Sequence, residues 1–343
     1  MRRHLKSLLK VSVILVITGT LMMLFGFLFG GIGELSREVS ELAGVVRAGV
    51  VQTVERIPML ESISNINGFT LVVDKEQVSV TVNEQYETLT GDYADLFFAQ
   101  SDEVSNLDIS VMNGVFSILP SEDDRYGVES KGEVEFQCYV ENETLYLSVF
   151  PASAYGTKED AEIILYVPSE EEYDQILLFC SGSSAEIKVP LCGGEMQLST
   201  ICGENKFHNE MIFELFNLNA GMGTVWAERI ATADMNVDVS NADVTFHNVS
   251  AETLSVGVGM GALDICGETT GDISISCGMG NVQMELTGEK DAYNYDISGS
   301  AESVQIGTDV LAGMVMERWI DNGSDKKIIM SCSMGNVKIE FNE

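Results

Sequence analysis

The sequence predicts an all-β protein: a parallel β-solenoid with coils of about 19 residues, preceded by an N-terminal transmembrane helix and an amphipathic juxtamembrane helix. Three observations carry that expectation. The C-terminal half repeats column by column, glycine-rich corners recur at one fixed place in the repeat, and a long uncharged run lies near the N-terminus.

The repeat aligns on Ala220, Val239, Val258, Cys277, Gly299 and Cys332, at steps of 19, 19, 19, 22 and 33 residues. Four residues before these stand Phe216, Met235, Leu254, Ile273, Tyr295 and Ile328, and two before stand Leu218, Val237, Val256, Ile275, Ile297 and Met330. Five after stand Val225, Val244, Leu263, Val282, Val304 and Val337, and seven after stand Ala227, Phe246, Ile265, Met284, Ile306 and Ile339. Alternate residues of a strand face opposite sides, so each unit holds two strands with one buried face apiece. The apolar phase flips between the two strands, and a short corner such as Gly278-Met279-Gly280 must absorb the shift. Glycine tolerates the close backbone approach such a bend needs. Burying about five inward side chains at ~1.5–3 kcal/mol each does not offset ordering a coil at ~1–2 kcal/mol per residue. A coil is therefore stable only against its neighbours.

The solenoid is expected over residues 176–343. Ile176, Leu178, Cys180, Ala185 and Ile187 fit the columns one unit upstream, with Ser181–Ser184 as the corner. Residues 188–215 do not align and are expected to form an irregular coil. Residues 308–327, with Met314, Met316 and Trp319, are an insertion expected to fold over the open end left by the final strand. Residues 59–175 hold strand candidates without a clear period, such as Val78–Val82, Leu107–Val111 and Val134–Val140. They are expected to begin and cover the solenoid, with a separate small β domain as the alternative.

Residues 1–10 carry Arg2, Arg3, Lys6 and Lys10 and no acid, and residues 11–32 carry no charge. A run of that length spans a bilayer, and the basic flank before it predicts a cytoplasmic tail of residues 1–10 with the bulk of the chain outside. No convincing cleavage site follows, which favours an uncleaved anchor over a signal peptide. Within the span, Gly26 and Gly30 form a GxxxG pattern that allows weak homo-association. Residues 33–58 carry Leu35, Val39, Leu42, Val46, Val50, Val54 and Ile57 in a helical stripe ended by Pro58. A two-stranded stalk, a helix lying on the membrane and a helix docked on the globular part all fit that stripe.

All 53 acids follow residue 33, so the part beyond the span is more acidic than the formal −34 of the whole chain. Phosphate backbones need a basic face, which excludes nucleic acid as a partner and argues against anionic lipid as a direct ligand. The acids themselves read as solvated outer faces. The seven cysteines form no CxxC, and Cys180, Cys277 and Cys332 fall in the inward reference column as small core residues. Cys277 and Cys332 are expected to lie on either side of the Gly299 coil, and most thiols to be free. His4, His208 and His247 are the only histidines, and each stands isolated in sequence. Asp321–Asp325 resembles half of a calcium loop but lacks the remaining ligands and reads as a turn. No catalytic, cofactor-binding or metal-ligating residue is assigned, and no cofactor is expected.

The Gly-Met-Gly-Asn-Val corner at 278–282, the continuation Asn281–Gly288, and the segments Ala161–Pro168 and Tyr173–Ser183 resemble a bacterial membrane-anchored family labelled putative adhesin. The likeness covers residues 105–343. It implies a β-solenoid outside the cytoplasmic membrane, associated with envelope-stress or regulatory systems, and it supplies no catalytic residues. The expected function is a non-enzymatic, membrane-anchored envelope module that binds an envelope or membrane-protein partner as a scaffold or stress-sensing accessory. A surface adhesin is the alternative, and a carbohydrate-active β-helix enzyme ranks behind both.

Overall fold

The computed structural model of the chain describes residues 73–74, 77–78 and 86–342, apart from 101–102, 124, 133, 152–160, 170, 300–302 and 312–315. The expected tail (1–10), membrane span (11–32) and juxtamembrane helix (33–58) lie outside the described residues. No helix among the described residues is long and apolar enough to cross a membrane. The chain divides into two compact units, Met1–Thr81 and Val82–Glu343. In the first, the described residues form one antiparallel pair, Val73–Asp74 with Gln77–Val78. In the second, the strands among the described residues belong to one 18-stranded sheet wound into stacked rungs.

The stacking is parallel and in register. Leu254, Val256 and Val258 pair with Ile273, Ile275 and Cys277, and Leu263 and Ile265 with Val282 and Met284. The pairing joins the apolar columns already visible in the sequence, so each inward side chain rests on its counterpart in the next rung. Phe216, Met235, Leu254 and Ile273 are all buried, as are Ala227, Phe246, Ile265 and Met284. The rung at Asn106–Pro120 extends the stack upstream, with Leu107, Ile109 and Val111 beside Ile176, Leu178 and Cys180.

Residues 188–215, expected to be irregular, contain a rung in register with Glu172–Ile187. Ile176 pairs with Met196, Leu178 with Leu198, Ala185 with Asn205 and Ile187 with Phe207, with a register shift on either side of Ser181. The irregularity lies in the core residues rather than in the path. Thr200 and Asn205 occupy columns filled elsewhere by apolar side chains, and both are buried. Asn205 Nδ2 donates to Thr200 Oγ1 at 3.2 Å, while Asn205 Oδ1 has no partner among the described residues. A polar pair that satisfies part of its own hydrogen bonding holds a core site that periodicity cannot recognise.

At both ends the spatial order departs from the chain order. At the N-terminal end, Asn106–Pro120 lies between Glu172–Ile187 on one side and the later segments Thr144–Val149 and Glu162–Val167 on the other. Antiparallel strands then close that end: Arg125–Lys131 against Glu162–Val167, and Val134–Glu141 against Thr144–Pro151. At the C-terminal end, Lys327–Cys332 pairs with Ile273–Cys277 on one side and Asn294–Gly299 on the other. Its continuation Asn336–Asn342 is likewise held between Asn281–Thr287 and Ser303–Ile306. The final rung is therefore threaded inside the stack, and the rung that precedes it in sequence lies outside it.

This order corrects two expectations. Cys277 and Cys332 are direct register partners and are not separated by the Gly299 coil. Both are buried free thiols. Burial, with the Cys332 thiol beside it, pushes the Cys277 thiol up. The end of the stack is also not the last strand of the chain. The insertion supplies edge strands there, with Asp309–Leu311 antiparallel to Ser303–Ile306 and Met316–Ile320 antiparallel to Asn294–Gly299. Leu311 and Ile320 pack against the core, whereas Trp319 points outward and is 59% exposed. Asp321–Asp325 is a turn in which Asp321 Oδ1 accepts from Gly323 N at 2.9 Å, and Asn322 Nδ2 donates to the Tyr293 carbonyl at 2.7 Å.

Truncation after Asp325 removes the threaded rung and strips neighbours from two rungs at once. Limited proteolysis should then cut within residues 273–307, which should resist cleavage in the full chain. In the polar core site, Thr200→Val should cost about 1–3 kcal/mol in urea denaturation by stranding Asn205. The double variant Thr200→Val/Asn205→Val should recover most of that loss, because it removes both polar partners together.

Candidate binding surface

The second strand of each rung turns its even offsets outward. His208 lies eight residues after Thr200, Trp226 six after Ala220 and His247 eight after Val239, so all three side chains leave the same face on consecutive rungs. The His208 and Trp226 ring centroids are 5.6 Å apart at an interplanar angle of 52°. Trp226 and His247 are 5.9 Å apart at 61°. Trp226 is half-buried between two exposed imidazoles. The two histidines that stand isolated in sequence thus share one indole.

Local structure aims these groups. The register between rungs shifts between Phe246 and Val249, and Asn248 takes a left-handed φ of 49° there. Asparagine tolerates that conformation better than most residues, and its Nδ2 donates to the Glu228 carbonyl at 3.2 Å. The shift leaves His247 and Asn248 without register partners in the next rung.

Ion pairs surround the row. Lys206 meets Glu204 at 2.7 Å and Arg229 meets Glu210 at 3.8 Å, while Lys188 pairs with Glu186. The hydrogen bond from Lys188 holds the Glu186 carboxyl below its usual range, and His208 and Lys206 add to that effect. The Glu204 carboxylate raises the Lys206 ammonium. Exposed pairs of this kind add little stability. Their effect is to offset charge locally, giving an aromatic patch on a strongly acidic protein.

The outward row of the first strand behaves differently. Glu195 accepts from Gln175 at 2.8 Å, from Gln197 at 2.6 Å and from Asn217 at 3.3 Å. Asn236 in turn donates to Asn217 at 3.0 Å. These side chains bind one another from rung to rung and act as a ladder that braces the stack. The Trp226 row instead offers ring surface and imidazole nitrogens to an incoming molecule. An indole between imidazoles suits stacking on a planar or ring-bearing group, which is recognition chemistry. Sequence spacing held a signal for it: offsets of eight, six and eight on successive rungs. That signal becomes legible only once the rung containing Thr200 is recognised as one.

Residues 95–340 match the family model described as Toastrack DUF4097. Among solved structures, the chain is similar to a protein described as a putative adhesin from Bacteroides fragilis NCTC 9343, at 10% identity, covering 74% of this chain and 97% of that one, with a TM-score of 0.35. It is also similar to a putative adhesin from Parabacteroides distasonis ATCC 8503, at 12% identity, 75% and 98% coverage and a TM-score of 0.39. A protein from the same organism described as a putative lipid binding protein matches at 10% identity, 75% and 97% coverage and a TM-score of 0.24. No curated protein matches.

The two tryptophans of the chain allow a direct check of the row. In a Trp319→Phe protein the remaining indole emission comes from Trp226. Acrylamide quenching of that emission should rise when His208 and His247 are both replaced by alanine, and the thermal midpoint should stay within about 1 °C because surface changes of this kind cost little. Unchanged quenching would mean that the imidazoles do not shield the ring in solution.

Proposed function

This chain belongs to the Toastrack DUF4097 family, and from that premise we propose that it is a non-enzymatic binding module held at the outer face of the cytoplasmic membrane. The uncharged run of residues 11–32 behind Arg2, Arg3, Lys6 and Lys10 supports the anchor and its orientation. The stacked rungs then serve as a stiff support whose outward faces meet the partner. The observation that carries the binding reading is the Trp226 ring framed by His208 and His247. Repeat solenoids recognise partners through extended surfaces, and aromatic side chains concentrate binding energy where they are framed by other groups.

The partner is an envelope or membrane protein whose contact residue stacks on the indole.

A photo-crosslinking residue placed at Glu228, beside the row, in the full-length chain in native membranes should capture a discrete envelope protein. Trp226→Ala should reduce that capture at least fivefold, while the same probe placed at Ser274 should capture little. Capture that is unaffected by Trp226→Ala would sink the assignment of the surface. Attachment to other cells that depends on Trp226, without an envelope crosslink, would select the adhesin reading instead. Turnover of a polysaccharide by the purified chain would overturn the non-enzymatic reading.

A further inference from the structure

A second outward feature lies at the corners of the rungs. Met260, Met279 and Met334 are 44%, 55% and 62% exposed. Met279 N donates to the Gly259 carbonyl and Met334 N to the Gly278 carbonyl, both at 2.7 Å, so the three methionines occupy consecutive rungs. Threading of the final rung is what brings Met334 beside Met279. The glycine that follows each of them cannot be replaced by a bulkier residue. A Cβ at Gly261, Gly280 or Gly335 would lie 2.2, 2.4 or 2.3 Å from the carbonyl oxygen of the rung beneath. Each methionine is thus followed by a glycine and is the long, exposed apolar side chain of its corner, stacked on its counterpart in the next rung.

We propose that the Met260–Met279–Met334 column binds a soft monovalent metal ion, Cu(I) or Ag(I), between the thioether sulfurs of adjacent rungs. Thioethers select soft ions over the hard divalent ions that carboxylates attract. A zinc–thiolate bond is ~2.3 Å long, and bonds from sulfur to Cu(I) or the larger Ag(I) are comparable or somewhat longer, so two sulfurs facing each other across one ion sit roughly 4.6–5 Å apart. Parallel rungs repeat at ~4.8 Å, so residues repeated from rung to rung meet that separation, and methionine has the rotatable bonds to adjust it. Met279 belongs to both adjacent pairs and is the central ligand. The formal charge of −34 raises the local concentration of cations around the site. Met222 provides an internal control. It is 39% exposed, but Asn241 holds the corner between it and Met260, since Met260 N donates to the Ser240 carbonyl at 2.8 Å. Two rung spacings are too far for one ion to bridge.

The site is independent of the Trp226 surface, which lies on the strand face and not at the corner. Its test uses the full-length chain labelled with [methyl-13C]methionine, its accessible thiols first alkylated with iodoacetamide, and Ag(I) as the probe in chloride-free buffer. The Met260, Met279 and Met334 methyl resonances should shift together and saturate, while those of Met222 and of the buried Met235 and Met284 stay in place. Met279→Leu should weaken binding at least tenfold, and Met222→Leu should leave it unchanged; both replacements keep side-chain volume at exposed positions, and an unchanged spectrum elsewhere reports an intact fold. No shift in the three methyls, an equal response at Met222, or unaltered affinity in Met279→Leu would each overturn the proposal.

Discussion

Parallel, in-register pairing of each rung with the next is the constraint on which the rest of this structure depends. A rung has too little apolar surface to order itself, so its backbone donors and acceptors and its inward side chains are satisfied only by neighbours. Register then follows from burial. A slip of one residue would turn the whole column from Leu254 through Ile273 to Ile328 toward water. The same requirement shapes the corners, where the chain approaches the rung beneath so closely that glycine recurs, as at Gly223, where a Cβ would lie 2.0 Å from the Gly203 carbonyl oxygen.

Stacking creates two open ends, and exposed strand edges invite pairing with other chains. The protein manages both ends alike. At each, a rung is held inside by a segment adjacent to it in sequence that lies outside it in space: Asn106–Pro120 beneath Thr144–Val149 and Glu162–Val167, and Lys327–Asn342 beneath Asn294–Ile306. Short antiparallel strands complete the closure. Threading ties residues 55 apart in sequence, such as Cys277 and Cys332, into direct contact. It also makes the C-terminal segment an interior part of the solenoid, where removal opens two faces.

Once the columns hold the rungs in place, the outward positions are released from packing and free to serve other ends. Some brace the stack, as the Glu195 ladder does by accepting three hydrogen bonds. Others present chemistry, as Trp226 does between two imidazoles. The difference lies in whether the polar groups are consumed by one another or left available. The ion pairs around Trp226 use up nearby charge and leave the rings as the distinctive feature of that face.

Alternation and corner spacing determined, from sequence alone, the all-β solenoid class, the inward columns from Phe216 to Ile339, and the role of the Gly-Met-Gly segments as bends. These are local properties of the chain, because side-chain parity along a strand is set by the backbone itself. The order of the rungs was decided only by tertiary structure. A column residue such as Ile273 fits against Tyr295 or Ile328 equally well by pattern, and its pairing with Ile328 depends on the path of the insertion that lets the last rung enter between them. The rung of Thr200 and Asn205 was hidden for a related reason, since a buried polar pair satisfies packing without an apolar signature. The shared indole of His208 and His247, and the nearness of Met279 to Met334, follow from those two decisions, because contacts between distant residues arise from which rung lies on which.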